Sequence, residues 1–284
     1  MTVIAVVAMG EMGAGVARRL VERGATVLTS LAGRSGASAE RAKAAGVGAV
    51  DDAALVGEAD MILSIVPPAA AGATAERFLP LIEKAARKPV FIDCNAIAPQ
   101  TLEAIAKLFA AKTLPFIDAS IIGAAPKADG SSPRLYMYMS GPIATEADTL
   151  KRLGLDVRVL SASLGDASAL KMSYAGITKG FQALGASMVL GAGRNGAAES
   201  FVAELKASQP QLHAWLVKQL PAMYDKAYRW DGEMREIAKF LLPEQGASEM
   251  LTGAANLYEH IAADNRAGPQ SEIISTLNRF VTGK

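Results

Sequence analysis

The chain has 284 residues, of which 51% are hydrophobic and 20% charged, and its formal net charge is +1 at pH 7. This length is sufficient for one or two domains with a large core. A charge so close to zero gives no electrostatic reason to expect a nucleic-acid or anionic-membrane partner. No apolar run reaches the roughly 18 residues of a membrane span. The single cysteine, Cys94, excludes an internal disulfide framework and predicts a reducing, cytoplasmic environment.

The first part of the chain alternates between strand-like and helix-like segments. Residues 3–8 are apolar and largely β-branched, which predicts a strand buried on both faces, and residues 12–23 predict a helix that ends at Gly24. Further strands are predicted at residues 25–30, 48–50, 61–66, 90–93, 116–122, 135–140 and 157–160, and further helices at residues 38–45, 51–57 and 101–111. Strands separated by helices predict an α/β fold with a mostly parallel, doubly wound sheet.

After residue 161 the strand pattern ends and only helical patterns follow. Helices are predicted at residues 167–190, 197–208, 212–228, 232–241, 247–264 and 273–281, with breaks at residues 191–196 and 243–246. The sequence therefore predicts a doubly wound α/β domain over residues 1–161 and an all-helical domain over residues 162–284.

The turn after the first predicted strand, residues 8–13, has the sequence AMGEMG. It fits the dinucleotide pattern G-x-G-x-x-G of Rossmann domains, except that Ala8 replaces the first glycine. Gly10 lets the backbone approach a pyrophosphate, and Gly13 lets the following helix pack closely against the sheet. The N-terminus of that helix favours phosphate. The alternative is a tight structural turn, but a preceding strand and a following helix favour a nicotinamide dinucleotide. The predicted contacts of the turn are Met9, Gly10, Glu11, Met12 and Gly13.

The end of the second predicted strand bears on the choice between NADP and NAD. A site for NAD usually has an acid here, which accepts from the ribose 2′-hydroxyl. Residues 29–35 contain no acid, and Arg34 and Ser35 are suited to a 2′-phosphate. The sequence therefore predicts NADP, with NAD as the alternative if Arg34 is only a solvated loop residue.

Two other strand ends should line the same cleft, because ligands bind outside the carboxyl ends of parallel strands. Ser64, Val66 and Pro67 follow one strand, and Asn95 follows another. Asn95 is predicted to hydrogen-bond the nicotinamide side of the cofactor. For Pro67 the alternative is that it simply ends the strand.

The order of these motifs resembles the β-hydroxyacid dehydrogenase family, which includes 6-phosphogluconate dehydrogenase and 3-hydroxyisobutyrate dehydrogenase. The motifs that carry the resemblance are the turn at residues 10–13, residues 64–68, residues 93–99, residues 116–119 and Lys171-Met172. The resemblance covers nearly the whole chain. Residues 212–264, which include the RWDGEM sequence at residues 229–234, are similar to the C-terminal domain of a poorly characterised branch related to 6-phosphogluconate dehydrogenase.

The resemblance implies an oxidoreductase in which a lysine exchanges the proton of a β-hydroxyl group while hydride moves to or from NAD(P). Lys171 matches that lysine, and the alternative is a lysine that reaches solvent from a helix. An asparagine common in the family is Ala175 here, and the histidine of 6-phosphogluconate dehydrogenase is Tyr174, a second catalytic candidate. Thr178 and Gln182 continue this helix face as candidate substrate contacts.

The segment that holds the substrate carboxylate in the family departs from its pattern. Relatives have Ser-Gly-Gly, whereas here Ile122 occupies the serine position and Gly123 remains, with Ser120 as a partial substitute. The implied substrate is a small β-hydroxy acid or a related alcohol or carbonyl compound. No cluster of Arg and Lys indicates the phosphate of 6-phosphogluconate.

Two other functions stay open at this point. An imine reductase-like enzyme would use the same cofactor, but such enzymes commonly replace the lysine with Asp or Tyr, so Lys171 argues against this function. A non-catalytic NADP-sensing protein is the other alternative. His213, His260 and Cys94 form no metal-ligand spacing, so no metal is predicted. The resemblance implies a homodimer formed through the helical domain.

Overall fold

The N-terminal part of the chain folds around one eight-stranded sheet in the computed structural model, which describes residues 2–127 and 135–283. The strands are β1 (Val3–Val7), β2 (Thr26–Thr29), β3 (Gly48–Ala49), β4 (Met61–Ser64), β5 (Val90–Asp93), β6 (Phe116–Ile122), β7 (Tyr136–Ser140) and β8 (Asp156–Ser161). Their order is β3-β2-β1-β4-β5-β6-β7-β8, and the pairs are parallel except for β6 and β7. The order reverses between β1 and β4, which is where doubly wound sheets bind ligands.

Helices cover both faces of this sheet. They are α1 (Glu11–Glu22), α2 (Gly36–Ala44), α3 (Asp52–Glu58), α4 (Ala71–Lys84), α5 (Pro99–Ala110) and α6 (Asp148–Arg152). On one face, α1 packs Val16 and Leu20 against β1 residues such as Ile4. On the other face, Phe78 of α4 and Phe109 of α5 join a separate core cluster. Burial on both faces explains why the central strands are apolar throughout.

The C-terminal part is helical over the described residues. Its helices are α7 (Asp166–Arg194), α8 (Ala198–Ser208), α9 (Pro210–Met223), α10 (Ala227–Phe240), α11 (Gln245–Ala267) and α12 (Glu272–Thr282). Helices α10 and α11 pack against each other, with the Trp230 and Tyr258 rings edge to face at a centroid distance of 5.3 Å. The hydroxyl of Ser248 also donates to the Ala238 carbonyl at 2.8 Å.

The chain divides into two compact units, Met1–Met172 and Ser173–Lys284. This division lies inside α7, further along the chain than the predicted boundary after residue 161. The reason is that the start of α7 is tied to the sheet. The amide of Ser168 donates to Asp118 of β6, and the amide of Ala167 donates to Ser140 of β7.

The predicted α/β sheet and the helical C-terminal part are confirmed, with two helices missed. Helix α4 is not predicted from the sequence, because Pro67, Pro68 and the internal Pro80 obscure its pattern. Helix α6 is not predicted either, because it has only five residues.

Two predicted boundaries in the C-terminal part were wrong. A break was expected from residue 191, but α7 continues to Arg194 and the chain turns at Gly196, which has a φ of +71°. One helix was expected over residues 212–228, but α9 ends at Met223, two residues after Pro221. Residues 229–231 then lie within α10 and not between helices.

Neither a membrane-spanning helix nor a metal-binding group is found in the described part of the chain. No helix within residues 2–127 and 135–283 is long and apolar enough to cross a bilayer. The same residues contain no group of three His, Cys, Asp or Glu side chains that could hold a metal ion.

Candidate functional site

The two glycines in the turn from β1 to α1 have different surroundings. Ala8 has a φ of +75°, a left-handed value that residues other than glycine rarely adopt. A Cβ atom at Gly13 would lie 2.1 Å from the Ala8 carbonyl oxygen, so a side chain here would displace backbone. A Cβ atom at Gly10 would meet no atom within 4 Å, which leaves open space beside the turn.

This turn fits the pyrophosphate of a dinucleotide. Helix α1 begins with Gly10 at its N-cap and without a side-chain cap. The backbone N–H groups of a first helical turn lack carbonyl partners within the helix and carry the positive end of its dipole. Together with the open space at Gly10, they form a cradle for phosphate oxygens. Of the other predicted contacts, Glu11 and Met12 lie in this first turn, whereas Met9 is only 1% exposed and offers backbone atoms alone.

The region after β2 brings the Arg41 guanidinium to the same turn. Ser35 is the N-cap of α2, and its hydroxyl accepts from the Ser38 amide at 3.4 Å. Arg34 precedes it and is partly exposed. Arg41, further along α2, donates from Nε to the Met9 carbonyl oxygen at 2.7 Å. The guanidinium of Arg41 therefore lies against the glycine-rich turn.

Arg41 is not among the predicted site residues, although its spacing from Ser35 and Ser38 indicates a shared helix face. Ser35, Ser38 and Arg41 are three residues apart, so they share one face of α2. The first turn of α2 contains no acid. Asp52, whose charge interacts with that of Arg34, is hydrogen-bonded by Arg77, and this hydrogen bond lowers the pKa of the Asp52 carboxyl. Because Arg77 balances the charge of Asp52, the Arg34–Arg41 region keeps its cationic character.

Asn95 joins the ends of β4 and β5. Its Oδ1 accepts from the Val66 amide at 2.7 Å, and its Nδ2 donates to Ser64 Oγ at 3.1 Å. Its own amide donates to Asp93 Oδ1 at 2.9 Å, and the residue is 2% exposed. The side-chain amide thus holds the backbone before Pro67 in place. A direct contact to the cofactor would require it to exchange these partners.

A row of buried polar side chains crosses the sheet from β4 to β7. Ser64, Asp93, Asp118 and Ser140 are paired in register on neighbouring strands, and all four are 0% exposed. Burial raises the pKa of Asp93 to about 7. The Oδ2 atom of Asp93 has no hydrogen-bond partner among the described residues. Asp93 therefore favours its protonated form up to neutral pH.

Asp118 is bonded quite differently from its neighbour in the row. Its Oδ2 accepts from Ser140 Oγ at 2.8 Å and from the amides of Gly165 and Ser168, both at 3.1 Å. Its Oδ1 accepts from Ser168 Oγ at 2.7 Å. Burial raises the pKa of Asp118, and these donated hydrogen bonds oppose the rise. Asp118 belongs to the motif at residues 116–119, but the sequence alone predicts no role for it.

Lys171 lies in the second turn of α7, close to the carboxyl end of β6. Its Nζ donates to the carbonyl oxygen of Ile121 at 2.8 Å, and the side chain is partly buried. Since β6 runs parallel to β5, β4 and β1, Ile121 lies at the same edge of the sheet as the glycine-rich turn. The amine is therefore at the edge where a doubly wound sheet binds its ligand.

The candidate substrate residues have different surroundings. Ser120 is 0% exposed, and its hydroxyl has no partner in the part of the chain that the structure describes. Gly123 follows β6, is exposed and has a φ of +133°. The part of the connection from β6 to β7 between residues 128 and 134 lies outside the described residues.

The remaining candidates lie on α7 within the second unit. Tyr174 is 52% exposed. The Thr178 hydroxyl donates to the Tyr174 carbonyl at 3.0 Å, and Gln182 Nε2 donates to the Thr178 carbonyl at 3.2 Å. Gln182 is 5% exposed, and its Oε1 lacks a partner within residues 2–127 and 135–283. Ala175, at the position of the family's asparagine, is buried.

The sequence of the first unit matches a known family. Residues 3–153, more than half of the chain, match the model for the NAD binding domain of 6-phosphogluconate dehydrogenase. The chain belongs to the β-hydroxyacid dehydrogenase family. It is therefore an NAD(P)-dependent oxidoreductase that acts on CH–OH groups. Residues 192–261 match a second model, described as a domain of unknown function (DUF1932).

Individual relatives are similar to this chain over most of its length. An uncharacterized 28.5 kDa protein in the 7S RNA 5′ region of Methanothermus fervidus is 26% identical over 237 residues, which cover 83% of this chain and 89% of that protein. A solved conserved protein of unknown function, described as structurally similar to 3-hydroxyacid dehydrogenases, is 27% identical, with a TM-score of 0.67 and coverage of 92% of this chain and 97% of that one.

Two more distant structures share the fold. Mycobacterium tuberculosis 3-hydroxyisobutyrate dehydrogenase, solved with L-serine, is 19% identical, with a TM-score of 0.72 and 98% of each chain covered. An imine reductase from Myxococcus stipitatus in complex with NADP+ is 16% identical, with a TM-score of 0.54 and coverage of 98% of this chain and 99% of that one.

Proposed function

We propose that this dehydrogenase uses NADP(H) and transfers hydride to or from the hydroxyl-bearing carbon of a small β-hydroxy acid or a related alcohol or carbonyl compound, with Lys171 as the general acid and base. The observation that carries the proposal is the position of the Lys171 amine, 2.8 Å from the Ile121 carbonyl at the carboxyl end of β6. Bound NADP would supply the hydride acceptor or donor.

The proposed reaction requires the protein to carry out one proton transfer. In the oxidation, the neutral amine of Lys171 takes the proton of the substrate hydroxyl as the carbonyl forms. In the reduction, the ammonium returns that proton to the oxygen. Its bond to the Ile121 carbonyl holds the nitrogen at a defined position. Such a positioned acid or base contributes typically about 10²–10⁴-fold to the rate.

The preference for NADP over NAD rests on the groups after β2. A 2′-phosphate would find the Arg34 and Arg41 guanidinium groups and the hydroxyls of Ser35 and Ser38 on one side of α2. Arg41 supports this location because it bonds the Met9 carbonyl of the glycine-rich turn. Residues 29–35, which form the end of β2 and the loop after it, contain no acid, whereas an NAD site usually has one there.

The substrate class follows from the family and from its departures here. A carboxylate held near Gly123 would meet Ile122 in place of the family's serine. Because Ser120 is fully buried, it would need a change of local backbone to take over this contact. We therefore assign Gly123 a backbone contact. Tyr174, Thr178 and Gln182 stay proposed contacts, Tyr174 as an auxiliary proton donor.

We further propose that the protein forms a homodimer through its helical unit. Four apolar side chains on α7, Ile177, Phe181, Leu184 and Met188, are 64%, 46%, 55% and 50% exposed. They are four and three residues apart, the spacing of a helix-packing seam, and we call them the α7 stripe. The charged Lys179 does not interrupt it, because its amine pairs with Glu233 and its side chain is 14% exposed. An uncharged seam of this kind suits a second copy related by a two-fold axis.

The test of the reaction is a screen of NADPH oxidation and NADP+ reduction with hydroxy acids, ketones and imines. On the best substrate, Lys171→Ala should lower kcat/KM by about 10³-fold, as expected for loss of a general acid and base. Lys107→Ala, which removes a side chain that is 72% exposed, is the matched control and should be unchanged. Full activity of Lys171→Ala would refute the mechanism, turnover of imines alone would favour an imine reductase, and NADPH binding without any turnover would favour an NADP sensor.

The same assay tests the proposed preference for NADP over NAD. The wild-type KM should be lower for NADPH than for NADH, and Arg34→Ala should raise the KM for NADPH by about tenfold, equivalent to about 1.4 kcal/mol, because one charge-assisted contact is lost. The matched control is Arg19→Ala, which removes the same charge from an exposed position in the last turn of α1. A wild-type preference for NADH would contradict the assignment of NADP.

A further inference from the structure

Helix α7 is attached to strand β6 at two points with the same sequence offset. Ser168 bonds Asp118, and Lys171 bonds Ile121, each across fifty residues of chain. Three residues span about 10 Å along a strand but only about 4.5 Å along a helix. The flexible Lys171 side chain bridges the difference. Its reach therefore depends on where the first attachment holds the helix.

Asp118 holds the first attachment through four accepted hydrogen bonds. Its carboxylate accepts the amides of Gly165 and Ser168 and the hydroxyls of Ser140 and Ser168, so β6, β7 and α7 meet at this one group. A carboxylate at a helix N-terminus is favoured by the helix dipole, and bonds to a charged acceptor are stronger than neutral ones. The strand that carries Asp118 is held on both sides, by β5 and by β7.

We propose that Asp118 is a positioning residue for Lys171, a role that rests on the proposed function of that lysine. Asp118 fixes the first turn of α7 against β6 and thereby holds the Lys171 amine at the Ile121 carbonyl. Without Asp118, α7 shifts along β6 and the amine leaves its position. A displacement of about 1 Å at a reacting group can cost about 10²-fold in rate.

Three variants separate this role from a general structural one. Asp118→Ala removes all four accepted bonds. Asp118→Asn keeps an acceptor oxygen for the two amides and can donate to Ser168 Oγ, so it is the conservative replacement. Ser168→Ala removes only the hydroxyl bond and protects the test if Asp118→Ala does not fold. The matched control is Ser187→Ala, whose hydroxyl bonds the Ala183 carbonyl on the same helix.

The readouts are steady-state kinetics and competitive acetylation of Lys171, quantified by mass spectrometry against Lys107. For Asp118→Ala we expect kcat to fall by about 10²-fold with the KM for NADPH within about twofold, because the amine and not the cofactor turn is displaced. Acetylation of Lys171 should rise severalfold. Ser168→Ala should show both effects at a smaller size, and Asp118→Asn should restore most of kcat.

Equal kcat values for Ser168→Ala and Ser187→Ala, unchanged acetylation of Lys171, or a loss in Asp118→Asn as large as in Asp118→Ala would each overturn the proposal. The acetylation readout does not depend on activity. If Lys171→Ala were fully active, the proposed function would fail while acetylation still reported on the position of the amine. If Lys171→Ala were inactive and the Asp118 variants normal, only the role of Asp118 would fail.

Discussion

Two glycines three residues apart serve different purposes in the turn after β1. A methyl group at Gly13 would collide with the Ala8 carbonyl, whereas one at Gly10 would enter open space. Gly10 has a φ of −71° and a ψ of −177°, values that alanine adopts without strain. We therefore expect the fold to require Gly13 and dinucleotide binding to require Gly10.

At the residue scale, we expect Gly10→Ala and Gly13→Ala to fail in different assays. The unfolding free energy of Gly10→Ala should lie within about 1 kcal/mol of the wild-type value. The variant should nevertheless bind NADPH at least about tenfold more weakly, because its methyl group occupies the space for the phosphate. Gly13→Ala should lose about 2–3 kcal/mol of unfolding free energy, because backbone must move. Urea unfolding and fluorescence titration with NADPH measure the two effects.

A third substitution calibrates this comparison. Gly57→Ala replaces a glycine within α3 that has no atom within 4 Å of its added methyl group. It should be neutral or stabilising by up to about 1 kcal/mol. If Gly13→Ala were as stable as Gly57→Ala, or if Gly10→Ala bound NADPH like the wild type, the division of roles would be wrong.

At the scale of elements, β5 and β6 repeat one tripeptide in register. Each strand carries Phe-Ile-Asp, so Phe91 pairs with Phe116 and Asp93 with Asp118. The phenylalanine rings stack with a centroid distance of 6.0 Å. The two carboxyls become neighbours in a dry environment, and only Asp118 finds several donors. Asp93 consequently takes up a proton that its unfolded form would release.

This proton makes stability depend on pH in a direction opposite to that of an ordinary ion-paired acid. The folded pKa of Asp93, about 7, lies above its ordinary value of 3.8, so between these values the folded state binds the extra proton. Stability from this group is present below pH 4 and is lost as pH rises towards 7. Asp93→Asn removes the titrating carboxyl and therefore removes this loss of stability with rising pH. Its unfolding free energy relative to the wild type should therefore rise by roughly 2–4 kcal/mol between pH 4 and pH 7.5.

Urea unfolding at several pH values measures this difference. Asp148→Asn, an exposed acid-to-amide change in α6, is the matched control and should follow the wild-type profile. Parallel profiles for Asp93→Asn and the wild type would show that Asp93 is ionised in the folded protein at pH 4–7.

At the scale of the whole molecule, we expect the proposed homodimer to depend on the α7 stripe. Light scattering should give twice the chain mass of 29.5 kDa for the wild type. Leu184→Glu should yield a monomer, because an ionised side chain would have to be buried in the seam. Met250→Glu changes a residue that is 66% exposed outside the stripe and should stay dimeric. A monomeric wild type, or a dimeric Leu184→Glu, would contradict the proposed interface.

Local pattern alone predicted much of the fold. The alternation of apolar strands with helices, the helical C-terminal part and the turn at Gly10 and Gly13 all follow from the spacing of residues close in sequence. Where the pattern was interrupted, as by Pro80 in α4, the prediction failed, because tertiary burial of Phe78 and Ile82 stabilises the helix despite the proline.

The sequence by itself determined the sheet, the dinucleotide turn and the absence of an acid after β2. Only the tertiary structure decided which side chains meet: Arg41 at the Met9 carbonyl, Asn95 between β4 and β5, and Asp118 at the start of α7. These contacts join residues 29 to 50 positions apart in the chain. Such pairs depend on strand order and register, which local spacing does not encode.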